Sequence, residues 1–494
     1  SELITNGSFD TDSNWAKTNA TISGGQANIT VTGGVFSGIT QGVSYISGKK
    51  YRLIANIKGA SGSSGKQVRF MDNSSNIGGL TTSNGVITLD ESVQNIELNW
   101  TANSNSGVIE NARNTSSGDY SWVLYDISVK EVQGDRARLN YEIEGGLVNT
   151  KCSLLLEPSR TNIFLNSNDL SQWLIGAGLT VTTNLVTSPD GTKNADQIKK
   201  TSENYTYVRQ MHLTGSVSVF SIFVKQGNYR YIGIRNNDSG HSVFDFETKT
   251  FVTSLSDHNL SFEELPNGWF RLIDERTIST NTNGLRGIAL TLANGTELHQ
   301  DIPLNAFAYI WGGQLENGAT YSTTLIPTNV SVQTRANETC NGAGTSSILP
   351  SEEGILYGEF AALINDATFR LFSLSDGTSA NRVFLGFGSI SNTIHCNITN
   401  SNVAQAPLNH TVSDIKLFHK AAIRFKANNV KLYVNGTQVA LDTSATIPST
   451  FSSVQFNSGS GSSVFYGKIR DIRVYNTKEM TDSEVDILLT KITS

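Results

Sequence analysis

The sequence predicts an all-β protein of three tandem β-sandwich domains, and three observations carry that reading. Only 16% of the 494 residues are charged while 38% are hydrophobic, so solubility rests on Ser, Thr, Asn and Gly, a composition suited to short strands and turns. Short runs of alternating apolar and polar residues recur between Gly, Ser and Asn turns. That rhythm is interrupted once and then restarts, and at about 150 residues per domain the length itself suggests three units.

Residues 1–132 form the first unit. Its runs YRLIANIKGASGSSGKQVRF and WVLYDISVKEV alternate, and in the second Val123, Tyr125, Ile127 and Val129 fall on one face at the period of two expected of a half-buried strand. The segment VQGDRARLNYEIEGGLVNT breaks the rhythm, which places a linker at 133–150. A second unit over 151–342 opens on SLLLEPSRTNIFLNSNDLSQW, whose leucines read as its entry strand. Within it NSNDLSQW at 166–173 echoes NGSFDTDSNW at 6–15, and AFAYIWGGQLENG takes the place of WVLYDISVKEV, so the first two units share one plan.

The third unit spans 343–494. In HKAAIRFKANNVKLYVNGTQVAL an apolar face continues across an Asn-rich turn, and Asn435-Gly436 supplies the next tight turn. The chain ends in MTDSEVDILLTKITS, a helix with Thr481 as N-cap and Glu484 completing a capping box.

Several functions are disfavoured. A net charge of −6 without a basic run argues against a nucleic-acid partner. No apolar segment approaches the roughly 20 residues that cross a bilayer, so no membrane insertion is expected, and SELITNGSFD lacks the basic and apolar regions of a signal peptide. Cys152, Cys340 and Cys396 are too dispersed for a zinc site or disulfide framework, though a bridge between Cys152 and Cys340, at the ends of one unit, is conceivable.

The order LLLEPSRTNIFLNSNDLSQW, SVFSIFVKQGNYRYI, LPNGWFRL, AYIWGGQLENGATYSTTLIPT and VQTRANETC resembles a carbohydrate-binding-module-like sandwich recurrent in bacteriophage tail and other virion-surface proteins. The first unit, ELITNGSFDTDSNW through YDISVKEV, resembles the jelly-roll carbohydrate-binding modules attached to glycoside hydrolases. The third, with EGILYGEFAAL, IRFKANNVKLYVNG and FYGKIRDIRVYNTKEMTDSEV, resembles concanavalin A-like (laminin G-type) lectin domains. The fold class implied is two jelly-roll carbohydrate-binding-like sandwiches followed by one concanavalin A-like sandwich.

A glycan binder stacks aromatic rings on the C–H faces of sugars while polar neighbours bond the hydroxyls. Candidates are Trp100, Tyr120 and Trp122 in the first unit and Tyr205, Tyr207, Tyr229 and Tyr231 in the second, with Arg209 and Arg235 interleaved; the alternative for each aromatic is core packing. Trp173, Trp269 and Trp311 sit among apolar neighbours and read as core. By the resemblance, Asp10, Asp126, Asp169 and Glu316 could hold a structural calcium through oxygen ligands, the alternative being turn and cap roles; no cofactor is required. Glu157, Arg160 and Arg335 read as a clamp between the second unit's ends.

Laminarinase-type hydrolases of the concanavalin A-like fold carry E-x-D-x-x-E on a strand. Here Glu484 and Asp486 lie behind a helix cap and Leu489 stands where the third acid belongs, so no catalytic residue is assigned. The resemblance implies a non-catalytic tail or capsid fibre protein, made in the host cytoplasm and displayed on the virion surface, adhering to host or environmental glycans beside other virion proteins. As a homo-oligomer it would be a trimer, although no heptad stretch drives a coiled coil. The rivals are a polysaccharide hydrolase or lyase carrying accessory modules and a structural spacer without ligand.

Overall fold

A computed structural model describes the chain except residues 1, 79–83, 115–116, 132–137, 215–216, 237–239, 257, 277–281 and 298–299. It divides into two compact units, Ser1–Gly134 and Asp135–Ser494. Both are built from antiparallel strands, and the helix Asp482–Thr493 is the only α-helix among the described residues.

The first unit is a two-sheet sandwich. One sheet runs Ala20–Ser23, Gln26–Val31, Tyr120–Glu131, Lys50–Gly59, Gln94–Thr101; the other is built around Gly38–Ser44, Ser106–Arg113 and Gln67–Asp72. Alternation sets the core: Tyr51, Leu53, Ala55 and Ile57 are buried along one strand while its intervening residues face outward. The strand Tyr120–Glu131 departs from simple period two. A bulge between Leu124 and Asp126 shifts its register against Lys50–Gly59, so Trp122, Leu124, Ile127 and Val129 face the core and Val123 and Tyr125 do not. The single face expected for Val123, Tyr125, Ile127 and Val129 is therefore split by one extra residue.

The second unit contains two sheet pairs. In the first pair, one sheet runs Leu174–Ile175, Tyr207–Thr214, Thr282–Leu290, Tyr231–Asn236, Gly240–Asp245, Thr250–Thr253, and the other runs Leu179–Val186, Ala195–Lys200, Phe307–Asn317, Ser218–Gln226, Trp269–Arg276, His258–Leu265. Phe307–Asn317 takes the interior position that Tyr120–Glu131 holds in the first unit, next to a leading hairpin, as the sequence echo implied. The echo extends to side chains. Asn6 and Asn166 both adopt left-handed backbone (φ 56° and 49°), which Asn tolerates, and the indole N–H groups of Trp15 and Trp173 each donate to that asparagine's carbonyl at 3.1 Å.

The second pair carries the region expected to be concanavalin A-like. Its seven-stranded sheet runs Arg138–Glu144, Leu147–Leu156, Gly467–Asn476, Gly354–Ala362, His419–Phe425, Val430–Val434, Thr437–Asp442. The expected hairpin is present, with Asn435 and Gly436 both at positive φ. Two expectations change here. From Arg138 onward the segment expected as a linker is a β-hairpin, residues 132–137 lying outside the described residues. Leu154, Leu155 and Leu156 pair with Ile469, Lys468 and Gly467, and Leu156 is buried in that C-terminal core, so the leucine run ends the last sandwich's sheet rather than opening the middle one.

The chain crosses between sandwiches at Glu157, where a buried ionic knot forms. Arg335 reaches the Glu157 carboxylate at 3.0 Å, Arg138 bonds both Glu157 and Glu338, and Thr324 donates to Glu157 through its N–H at 2.9 Å and its hydroxyl at 2.7 Å. Burial opposes charge on Glu157, yet Arg335 and Arg138 outweigh it and hold the carboxyl below the usual glutamate range. Backbone pairing of Arg160–Asn162 with Gln333–Arg335 fixes the two ends side by side. The clamp read from Glu157, Arg160 and Arg335 is thus structural, with Arg138 and Glu338 as members the motif did not disclose.

Candidate functional site

The outward face of the sheet containing Tyr207–Thr214 gathers most of the second unit's candidates. Its inward residues Val208, Ile288, Ile232, Ile234 and Phe244 are buried in the core, so the alternate residues point away from it. Tyr207, Arg209 and Met211 succeed one another at period two along one strand, and Tyr205 lies two residues before it; Tyr205 and Met211 are exposed, and the two tyrosine rings lie 6.0 Å apart. The Arg209 guanidinium stacks over the Tyr207 ring at 3.5 Å from its centroid.

Across the sheet, Leu174 pairs with Arg209, Arg209 with Gly287, Gly287 with Arg235 and Arg235 with His241. Two arginines therefore flank a position without a side chain. Gly287 is required there by close approach, because a Cβ would lie 2.2 Å from the Val208 carbonyl oxygen and 2.7 Å from the Arg209 Cβ. The adjoining row, Tyr207, Ala289 and Gly233, is also short-chained beyond its tyrosine.

The loop following this sheet's Thr282–Leu290 strand brings Glu297 to the arginine row. Glu297 is buried, accepts from Arg235 at 2.7 Å and lies 3.1 Å from His241 Nε2. His241 Nδ1 is 2.9 Å from the Gly295 carbonyl and donates to it. Burial raises the Glu297 pKa, but His241, Arg235 and Arg209 together hold it below the usual range. Arg209, by contrast, has no hydrogen-bond acceptor among the described residues, and its buried Nε is unpartnered.

Other candidates fall elsewhere. Tyr231 lies on the same outward face but beside the Arg230–Asp245–Glu247 ion pairs. Tyr229 turns inward, donates to the Thr291 carbonyl at 3.0 Å and is pushed by burial up to about 12. In the first unit Trp122 and Tyr120 are core residues rather than ligand contacts: Trp122 is fully buried and donates to Asn111 at 2.8 Å, Tyr120 stacks on it and donates to the Gln67 carbonyl. Trp100 is half-buried against that core and donates to Asp72 at 3.1 Å. Trp173, Trp269 and Trp311 are buried as expected.

The proposed calcium ligands do not converge. Asp10 accepts from the Ser8 hydroxyl at 2.5 Å, Asp126 from Asn56 at 2.8 Å, Asp169 caps a 3-10 turn through the Ser171 N–H at 3.1 Å, and Glu316 accepts from the Thr323 N–H at 3.1 Å. Each carboxylate already accepts a local hydrogen bond, and among the described residues no three His, Cys, Asp or Glu side chains are grouped to hold a metal. These residues do not fit the ion; they serve turns, caps and cross-strand bonds. All three cysteines are free, so Cys152 and Cys340 form no bridge.

No catalytic pair forms at the C-terminus. Glu484 closes the capping box on Thr481, and Asp486 pairs with Lys431 at 2.7 Å. A shallow depression lies on that helix face, lined by Ser483, Asp486, Ile487 and Lys491, and another lies at the first unit's edge by Asn19, Thr21, Asn28 and Thr30. Neither contains an aromatic ring to stack on a sugar. Sequence reading missed Glu297, His241 and Gly287, because only strand register carries them beside Arg209 and Arg235.

No curated protein matches the chain. Among solved structures, it is similar to the N-terminal CBM22-1–CBM22-2 tandem domain of Xyn10C from Paenibacillus barcinonensis, at 13% identity and a TM-score of 0.25, covering 64% of this chain and 97% of that one. It is also similar to domains LG4-5 of the mouse laminin α1 chain, at 10% identity and a TM-score of 0.23, covering 69% and 92%. Residues 363–486 match the family model of the concanavalin A-like lectin/glucanases superfamily. The C-terminal region of this all-β chain accordingly carries a concanavalin A-like, laminin G-type domain.

Proposed function

We propose that the protein is a non-catalytic, three-module glycan-binding protein that uses the outward sheet face bearing Tyr205, Tyr207, Arg209 and Arg235. The observation that carries this is the row itself: Tyr207 and Arg209 at period two on one strand, with Tyr205 just before it, opposite a second arginine across a glycine floor. Ring faces suit the C–H face of a sugar, and the guanidinium N–H groups suit its oxygens. A concanavalin A-like domain in the same chain supports a lectin-like role, and several shallow sites on one particle gain avidity without high individual affinity.

A glycan array at high display density tests this. Binding that Tyr207→Ala weakens about tenfold without altering thermal stability is the expected result; a silent array beside a folded protein would favour a structural spacer. A reducing-end assay on polysaccharides should give no turnover, and turnover lost on Glu484→Gln would replace this reading with a hydrolase.

The resemblance of residues 150–340 to phage modules supports placing the protein on a virion surface, as a tail or capsid fibre component meeting host or environmental glycans. Immunogold labelling of virions with an antibody to the chain tests the location. Light scattering tests for the trimer that such fibres adopt.

A further inference from the structure

The glycan-binding face has a charge asymmetry that narrows its ligand. We propose that it selects an acidic saccharide, whose carboxylate or sulfate oxyanion sits above Gly287 between the guanidinium groups of Arg209 and Arg235. This rests on the glycan-binding reading of the same face.

Arg209 and Arg235 pair with the same residue, Gly287, from opposite sides, so their Cα atoms lie two strand spacings apart, about 10 Å. Both side chains leave the sheet on the same side, and nothing rises from Gly287 between them. Only one of the two guanidinium groups is hydrogen-bonded to a carboxylate, Arg209 meeting Glu297 through its field alone. Glu297 takes one N–H of Arg235 and faces His241, leaving the Arg235 Nε without a partner. Arg209 stacks on an aromatic ring, which orients its fork, and its buried Nε makes no hydrogen bond to a protein acceptor among the described residues.

A guanidinium fixed by stacking and lacking an acceptor is arranged for an oxyanion, which its planar fork meets with two parallel hydrogen bonds. A neutral hydroxyl would use one such donor and leave the second N–H of the fork without an acceptor. The chain as a whole is acidic, at −6, so attraction of a polyanion must arise at this local row rather than from the overall field. Tyr205 and Tyr207, on the same strand edge, supply the surface for the sugar ring carrying the anion.

The test uses the full chain and four immobilised polymers: polygalacturonate, its fully methyl-esterified form, dextran sulfate and dextran. Retention of polygalacturonate, dextran sulfate or both is expected, and which one binds distinguishes carboxylate from sulfate. The ester and plain dextran should not be retained. Arg209→Ala, which removes no internal hydrogen bond, should weaken retention about tenfold or more with unchanged melting temperature, as one charge-assisted fork is lost. Arg235→Lys keeps the charge facing Glu297 and should weaken it less, and added salt should weaken it progressively. Equal retention of acid and ester, lost on Tyr207→Ala, overturns the anion preference and leaves the glycan reading standing. Acidic polymers bound equally by wild type and both arginine variants overturn the site. No retention of any polymer, with a silent glycan array, overturns the anion proposal and the glycan reading together.

Discussion

The aromatic cluster of the first unit and the aromatic row of the middle sandwich look alike in sequence and end on opposite sides of their sheets. Trp122 and Tyr120 stack in the core with their polar atoms satisfied by Asn111 and Gln67, whereas Tyr205 and Tyr207 stand on an outward face beside an arginine. Both sets sit on strands of alternating residues. What separates them is the identity of the residues between: Leu124 and Ile127 share the buried side with Trp122, while Val208 claims the core and leaves Tyr207 and Arg209 outside. An aromatic is a ligand candidate only when its strand already has enough aliphatic residues on the other face to fill the core.

Replacements should break this pair in opposite ways. Trp122→Ala should cost about 3–5 kcal/mol, the usual price of emptying a large buried aromatic site, and chemical denaturation of the purified chain would measure it. A loss under 1 kcal/mol would mean that this ring is not core. Breaking the ionic knot should be comparably severe in the second unit. Arg335→Met leaves Glu157 facing one arginine fewer in a buried place and should cost about 3–5 kcal/mol, read as a lowered melting transition.

On the proposed ligand face the expected effects move from stability to affinity. Tyr207→Ala should weaken glycan binding about tenfold, or ~1.4 kcal/mol, while the melting temperature stays within about 2 °C, because the ring covers no core.

A pH series distinguishes the middle sandwich further. Asp196 is buried, which pushes its carboxyl up to about 6 despite the N–H groups of Leu170 and Asn184 that it accepts. Its folded value lies above the unfolded one of about 3.9, so its contribution is fully present below about pH 4 and is lost as pH rises through 6. Denaturation midpoints should fall between pH 4.5 and 7, and the part of that slope due to Asp196 should vanish in Asp196→Asn. The smallest effect belongs to the terminal helix. Glu484→Gln, which retains a capping-box acceptor, should change stability by less than about 0.5 kcal/mol.

Much of this architecture was legible in the residues. Thr481 and Glu484 announce the helix start because two orphan backbone donors need those side chains, and the Asn–Trp echo marks a corner used in both jelly-roll-like sandwiches. The leucine run was misplaced because three apolar residues before Glu-Pro fit an entry strand equally well; only pairing with Gly467–Ile469 assigns it to the C-terminal sheet. The bulge at Leu124–Asp126 was invisible for a related reason, since it changes which residues face inward without altering composition. In the outward row, the placement of Tyr207, Arg209 and Arg235 on one face was readable from alternation. Gly287, His241 and Glu297 were not, because their proximity depends on register among strands and on a loop distant in sequence.

The most direct measurement of the central claim is a glycan array probed with the wild-type chain and with Tyr207→Ala/Arg209→Ala, each checked for an unchanged melting temperature. The account predicts a wild-type signal that disappears in the double variant. A signal of equal strength in both would show that the ligand face lies elsewhere.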